Sequence, residues 1–209
     1  MNCDKLLVTG IGGQGVILLT KIMARTAFDD GVTMSTLETL GGMQRGGPVY
    51  VQVRVGPVEF GASVAYGTAD AVISLEGYEG LRVASRFLKP GGLVVQNDKL
   101  VQVAGHFRTK RKPITTAQLP ELFDRIDARL VLVPASELAA SVGNTRLENL
   151  ALFGAVVQMG LLGFRPETAR KVIARSVPTG TEEQNLSAFE AGYRWVPAQT
   201  QGIALTIAS

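Results

Sequence analysis

Apolar and polar positions alternate along this chain in two rhythms, and their order outlines a fold. Lys5–Thr9 is a short apolar run that enters Gly10-Ile-Gly-Gly-Gln-Gly15. From Val16 to about Phe28 the positions Ile17, Leu18, Ile22 and Met23 fit a helix that stops at Gly31. Val32–Leu37 reads as a second strand, so the chain opens like a βαβ unit. Val49, Val51, Val53 and Val55 then alternate with Tyr50, Gln52 and Arg54, the period of a strand with one buried face. Ala71–Leu75 is continuously apolar, as a central parallel strand would be. Tyr78–Leu88 reads as a helix stopped by Pro90-Gly-Gly92, and Leu93–Gln96 as the next strand. A strand or hairpin around Leu100–Phe107, a helix over Ala117–Phe123 and a strand at Leu130–Val133 complete the first two-thirds.

The last third reads as helical. Thr145-Arg-Leu-Glu148 and Thr181-Glu-Glu-Gln184 both fit capping boxes, and Pro166 suits the first turn of a helix reaching Arg175. The expected architecture is a three-layer α/β/α, Rossmann-like domain with a mostly parallel sheet and a helical C-terminal third. We expect one domain over residues 1–196 and a patternless tail over 197–209.

Composition sharpens this picture. Of 209 residues, 46% are hydrophobic and only 19% charged, below the ~25% of an average chain, so apolar surface is available for a large core or a partner. The net charge of +3, with one local basic cluster at Arg108–Lys112, argues against a nucleic-acid footprint. Cys3 is the only cysteine and His106 the only histidine. That excludes an internal disulfide, a four-cysteine iron–sulfur site and a multi-histidine metal site. The start of the chain lacks the pattern of a secretory signal, and the apolar stretch at 147–163 is interrupted by polar residues. A cytoplasmic protein without a membrane span is expected.

Two glycine-rich loops are the candidates for chemistry. Gly10, Gly12 and Gly15 satisfy G-x-G-x-x-G between a strand and a helix, where backbone N–H groups can cradle phosphate. Glu38 then stands near the place of a ribose-binding acid, which keeps open a free-standing NAD(P)- or FAD-binding Rossmann-type oxidoreductase. Against that reading, the loop carries an extra glycine and a polar Gln14, and no hydride-transfer machinery is evident. The same glycines also serve if they only permit close packing. The second loop, Gly41-Gly-Met-Gln-Arg-Gly-Gly47, presents Arg45, a guanidinium suited to a phosphate or carboxylate, or to pinning its own loop, for instance through Glu38. The candidate binding or interface residues are therefore Gly12, Gly13, Gln14, Gly15, Arg45, Gly46 and Gly47. Glu76 and Glu79 follow the Ala71–Leu75 strand, either as a carboxylate pair or as a solvated or salt-bridged helix start.

As an ordered set these segments resemble the gamma subunit of 2-oxoacid:ferredoxin oxidoreductases. The likeness runs from Gly10–Val16 through Glu38, Gln44–Gly47, Val51–Arg54, Gly67–Asp70, Leu75-Glu76, Lys89–Gly92 and Asn97 to Gly143-Asn144, Asn149 and Asn185–Phe189. It is similar to the small chains of the indolepyruvate branch and to the gamma chains of aryl 2-oxoacid enzymes such as phenylglyoxylate dehydrogenase. Where that family often has Glu-x-His-Gly-Met-x-Gln-Arg-Gly-Gly, this chain has Leu40 at the histidine and Met43 displaced. Any role of that histidine is absent here. The resemblance implies oxidative decarboxylation of a 2-oxoacid, an aromatic one, to an acyl-CoA and carbon dioxide. Coenzyme A would be co-substrate, and ferredoxin or another acceptor would take the electrons. Thiamine diphosphate and 4Fe-4S clusters would sit on partner catalytic subunits, with this chain completing the complex, aiding coenzyme A binding and inactive alone.

Overall fold

The computed structural model describes residues 3–40, 46–56, 61–101 and 113–195. Its centre is a six-stranded sheet in the order β2-β3-β1-β4-β5-β6. The strands are β1 (Lys5–Ile11), β2 (Met34–Leu40), β3 (Pro48–Val55), β4 (Ala69–Ser74), β5 (Leu88–Asn97) and β6 (Arg129–Val133). β1, β4, β5 and β6 are parallel neighbours, as their apolar runs imply, and β4 is buried along its whole length. β3 is antiparallel to both its neighbours and lies between β1 and β2. The sheet is thus mostly parallel, with one inserted antiparallel strand.

Helices cover both faces. On one face lie α1 (Val16–Asp29), α4 (Ala135–Ser141), α5 (Glu148–Gln158), α6 (Pro166–Ser176) and α7 (Glu182–Arg194). On the other lie α2 (Gly77–Phe87) and α3 (Leu119–Asp124). Alternation along the strands assigns side chains to these layers: Leu6 and Val8 enter the larger core and Leu7 the smaller. In the larger core Phe153, Phe164 and Phe189 form an aromatic cluster with ring centroids 5.7 and 6.3 Å apart from that of Phe153. Fully burying each such ring contributes about 1.5–3 kcal/mol.

The helix α5 is buried on nearly every side, and glycine lets its neighbour reach it. A Cβ at Gly192 of α7 would stand 1.7 Å from the Ala151 carbonyl oxygen, and one at Gly154 would stand 2.0 Å from that of Phe189. The two backbones therefore touch directly, which sets how deeply α5 sits above the sheet.

Several local expectations are corrected. Asn144, not Thr145, caps the turn before α5: its Oδ1 accepts the Arg146 N–H at 3.1 Å, and Glu148 turns inward instead of closing a capping box. Thr181 precedes α7 but its hydroxyl donates to the Pro178 carbonyl, so the second capping box is also unformed. Lys89–Gly92 belongs to β5, with Gly91 at φ +69° and its N–H donating to the Asp127 carbonyl. Pro166 opens α6 as expected. Most of Leu100–Phe107, the basic cluster at Arg108–Lys112 and the tail from 197 lie outside the described residues.

Candidate functional site

The carboxyl ends of the parallel strands gather the motifs. The loop after β1 reaches sideways to the loop before β3: the Gly12 N–H donates to the Gly47 carbonyl at 2.8 Å, and the Gly46 N–H to the Gly12 carbonyl at 3.4 Å. The two glycine loops thus lie side by side. Gly46 takes φ +75°. Arg45 lies outside the described residues.

Gln14 folds back into its own loop. Its Oε1 accepts the Ile11 N–H at 2.7 Å, and its Nε2 donates to the Leu75 carbonyl and to Glu148 Oε1, each at 3.2 Å. Gly10 leaves room for this side chain, since a Cβ there would stand 2.8 Å from Gln14 Oε1. Gly15, at φ +81°, lies under Asn149: a Cβ would stand 2.5 Å from its amide nitrogen, which donates to the Gly15 carbonyl at 3.4 Å. Gly13 in this loop and Gly46 in the other are exposed, with open space where a side chain would be.

Glu148 joins the segments beneath the loops. It is 4% exposed. Its Oε2 accepts from Lys99 Nζ at 2.9 Å, from the Ser136 hydroxyl at 2.8 Å and from Asn97 Nδ2 at 3.4 Å, while Oε1 takes the bond from Gln14. One carboxylate at the start of α5 therefore binds the ends of β1 and β5 and the start of α4. Charge-assisted bonds of this kind are roughly twice as strong as neutral ones. Sequence reasoning missed Glu148 as a site member because its spacing from Thr145 fitted a cap.

On the other side of the loops Glu76 caps α2. Its Oε2 accepts the Glu79 N–H and its Oε1 the Val101 N–H, both at 2.8 Å. Burial raises its pKa above the usual carboxylate range, against the pull of those backbone donors. Glu79 pairs with Arg82 at 2.6 Å, so this helix start is salt-bridged, with a buried cap in place of a solvated one. Between Glu76, Glu79, Tyr78, Ile11 and Gly46 lies a small cleft of about 70 Å³.

This geometry bears on the phosphate reading. Within the first loop the N–H groups of Ile11, Gly12 and Gln14 are all taken by internal acceptors. The acidic side chains on the cleft, Glu76 and Glu79, disfavour an anion there, and no basic side chain lines it among the described residues. Glu38 stands on the exposed edge strand, and β3 separates it from β1. In a dinucleotide-binding unit the acid-bearing strand adjoins the glycine loop's strand; the inserted β3 breaks that adjacency. Among the described residues no group of three His, Cys, Asp or Glu is placed to hold a metal ion, and no helix is long and apolar enough to cross a membrane.

Residues 5–195 match the family model described as pyruvate ferredoxin/flavodoxin oxidoreductase. The chain belongs to this family. Among its curated relatives, the indolepyruvate oxidoreductase subunit IorB of Pyrococcus horikoshii is 31% identical over 192 residues, covering 90% of this chain and 94% of the relative. The fold of this family member is also that of solved structures. The gamma subunit of a keto/oxoacid ferredoxin oxidoreductase from Geobacter sulfurreducens superposes with a TM-score of 0.65 at 23% identity, over 91% of this chain and 96% of that one. The 2-oxoglutarate:ferredoxin oxidoreductase of Magnetococcus marinus, solved with 2-oxoglutarate, coenzyme A and succinyl-CoA, gives 0.66 at 21% identity, over 98% of this chain but 32% of that longer one. The same domain thus occurs both as a separate subunit and as part of a longer polypeptide.

Proposed function

We propose that this chain is the non-catalytic gamma-type subunit of a 2-oxoacid:acceptor oxidoreductase, one that converts a 2-oxoacid, coenzyme A and an acceptor into acyl-CoA, carbon dioxide and reduced acceptor. The observation that carries it is the match over residues 5–195 together with a relative covered over 94% of its own length, so the likeness is to a whole small subunit. Thiamine diphosphate and iron–sulfur clusters belong to the partner subunits on this reading. The residues here do not suit a cluster, since the single thiol of Cys3 is buried and burial, with the nearby Asp70 and Asp4 carboxylates, pushes its pKa up to about 12.

In this proposal Gly12, Gly13, Gln14, Gly15, Gly46 and Gly47 form a rigid surface against the partner subunits, and Arg45 meets an anionic group there, of coenzyme A or of a protein carboxylate. The internally bonded amides of Ile11, Gly12 and Gln14 favour that role over a phosphate cradle. The branch of substrates is aromatic 2-oxoacids, on the strength of the indolepyruvate relative. The test is purification from the native cells with assay of bound proteins, iron and thiamine diphosphate. Recovery with a thiamine- and cluster-bearing subunit is expected, and recovery alone with a bound nucleotide would overturn the proposal. In the recovered complex, Arg45→Ala should raise the apparent KM for coenzyme A or weaken assembly. If it does neither, Arg45 has no part in the site.

A further inference from the structure

Two glutamines are buried on the sheet face that carries α2, and they end differently. Gln52 of β3 offers its Oε1 to the Val64 N–H at 2.7 Å. Gln96 of β5 is fully buried, and neither its Oε1 nor its Nε2 has a hydrogen-bond partner among the described residues. Alternation along β5 sets it on the same face as Val94, and a Cβ on Gly80 of α2 would stand 1.9 Å from its Oε1. The backbone of α2 therefore rests directly on this amide. Native proteins rarely leave such groups unmet, because water binds them once they are uncovered. Each unmet group weighs against the packed state by about tenfold or more.

α2 is held unevenly along its length. Val83, Ala84 and Phe87 bury their side chains in the smaller core, and Phe87 meets the rings of Tyr50 and Tyr66 at 5.6 and 4.8 Å. In the first turn the buried positions are Gly77 and Gly80, which have no side chain to bury and disfavour a helix. What holds that turn is polar. The Gly77 N–H donates to the Lys99 carbonyl at 2.9 Å, the Tyr78 hydroxyl accepts the Ile114 N–H at 3.1 Å, and Glu76 accepts the Glu79 and Val101 N–H groups.

We propose that the first turn of α2, residues 77–80, opens ahead of the rest of the fold, hinged on the half anchored by Val83, Ala84 and Phe87, and that hydration of the Gln96 amide favours the opening. Packed, the inward positions of this turn bury no apolar side chain and the amide stays unpaired. Open, water meets both amide atoms while the anchored half keeps its place. The same movement displaces Tyr78 and Glu79, two walls of the cleft beside the glycine loops, so the pliant element borders the candidate site. Segments that move when a ligand or partner docks are drawn from the least stable parts of a fold. This inference stands on α2 and β5 alone and does not depend on the reaction of the complex.

The test is amide hydrogen exchange in the full chain, followed by NMR. In the parent, the Gly77, Glu79 and Gly80 amides should exchange about tenfold or more faster than those of Val72 and Ile73 in the buried strand β4. Gln96→Met, which fills the same space without polar atoms, should slow the three α2 amides by about tenfold and raise the melting temperature. Gln96→Leu serves as a second variant should the methionine pack badly. Gln52→Met removes the acceptor of the Val64 N–H, so it should lower the melting temperature and slow none of the three. The proposal is overturned if the first-turn amides of the parent exchange in step with those of β4. It is also overturned if Gln96→Met and Gln96→Leu both fold and leave the α2 rates unchanged, as they would if a bound water already met the amide.

Discussion

The carboxyl end of the sheet and its β2 edge handle polar groups in opposite ways. At the carboxyl end the Ile11, Gly12 and Gln14 amides of the glycine loop are internally bonded, and the buried Glu148 gathers hydrogen bonds from Gln14, Asn97, Lys99 and Ser136. At the edge, β2 has no strand on its outer side among the described residues, and Phe28 and Leu37 are exposed. The difference teaches that a glycine-rich loop is not by itself a loose one. Here glycine serves close approach, under Asn149 and against Gln14, and the resulting surface is shaped before any partner arrives. The β2 edge has the reverse character: it holds no left-handed residue and no buried polar hub, and only its inner side is bonded to another strand among the described residues.

The comparison breaks most sharply at the contact that seats α5. Gly192→Ala forces a methyl group into the Ala151 carbonyl, 1.7 Å away, so α7 must move off α5 and Glu148 loses its placement. We expect a loss of about 3 kcal/mol, the upper part of the range for overpacking, read as a lower urea midpoint. A midpoint equal to the parent's would mean that the helices part easily and that the carboxyl end is not held by α5.

Next in size is Glu148→Ala. It removes four hydrogen bonds from a buried carboxylate and leaves Gln14, Asn97 and Ser136 short of an acceptor, for an expected cost of about 2–3 kcal/mol. Lys99→Ala should cost less, about 0.5–1 kcal/mol, because the Lys99 side chain is 40% exposed and solvent screens its ion pair. If the two variants lost equal stability in urea unfolding, the ion pair and not the hydrogen-bond hub would hold this end.

How far this contrast was legible in the sequence depends on the range of each signal. The buried parallel strands were legible because a strand covered on both faces must be apolar throughout, and β4 is. The place of β3 was not: its valine alternation reports one buried face but not which strands flank it, so Glu38 read as a neighbour of the glycine loop when it is one strand further away. Glu148 was obscured by a competing local rule. Asn144, four residues earlier, supplies the cap and leaves the carboxylate free to turn inward, a choice made by tertiary partners at positions 14, 97, 99 and 136. The seven-residue helix α4, Ala135–Ser141, shows too few turns to carry a period. The resemblance supplied what spacing could not, by ordering both glycine loops in one motif set.

The edge side of the comparison is sharpened by Leu37→Thr. Leu37 is 44% exposed and its backbone stays bonded to β3, so monomer stability should change by no more than about 0.5 kcal/mol. A larger loss in urea unfolding would show that Leu37 is held in the core despite its exposure.

The smallest expected effect is a pH dependence, and its sign separates two forces acting on one residue. Glu76 is buried, which disfavours its charge, yet both of its oxygens accept backbone N–H groups, which favour it; burial wins and the pKa is raised. A carboxyl whose pKa is higher folded than unfolded holds more protons in the native state, so its contribution to stability falls as pH rises from the ordinary carboxylate range through the raised value. Glu76→Gln cannot titrate and lacks that term. The stability advantage of the parent over Glu76→Gln should therefore narrow with rising pH across this window, measured by urea unfolding at matched ionic strength. An advantage that widens instead would mean that the N-terminal amides of α2 outweigh burial. The carboxyl end would then prefer a standing negative charge beside the glycine loops, and Arg45, or a cation on a partner, would be the natural group to face it.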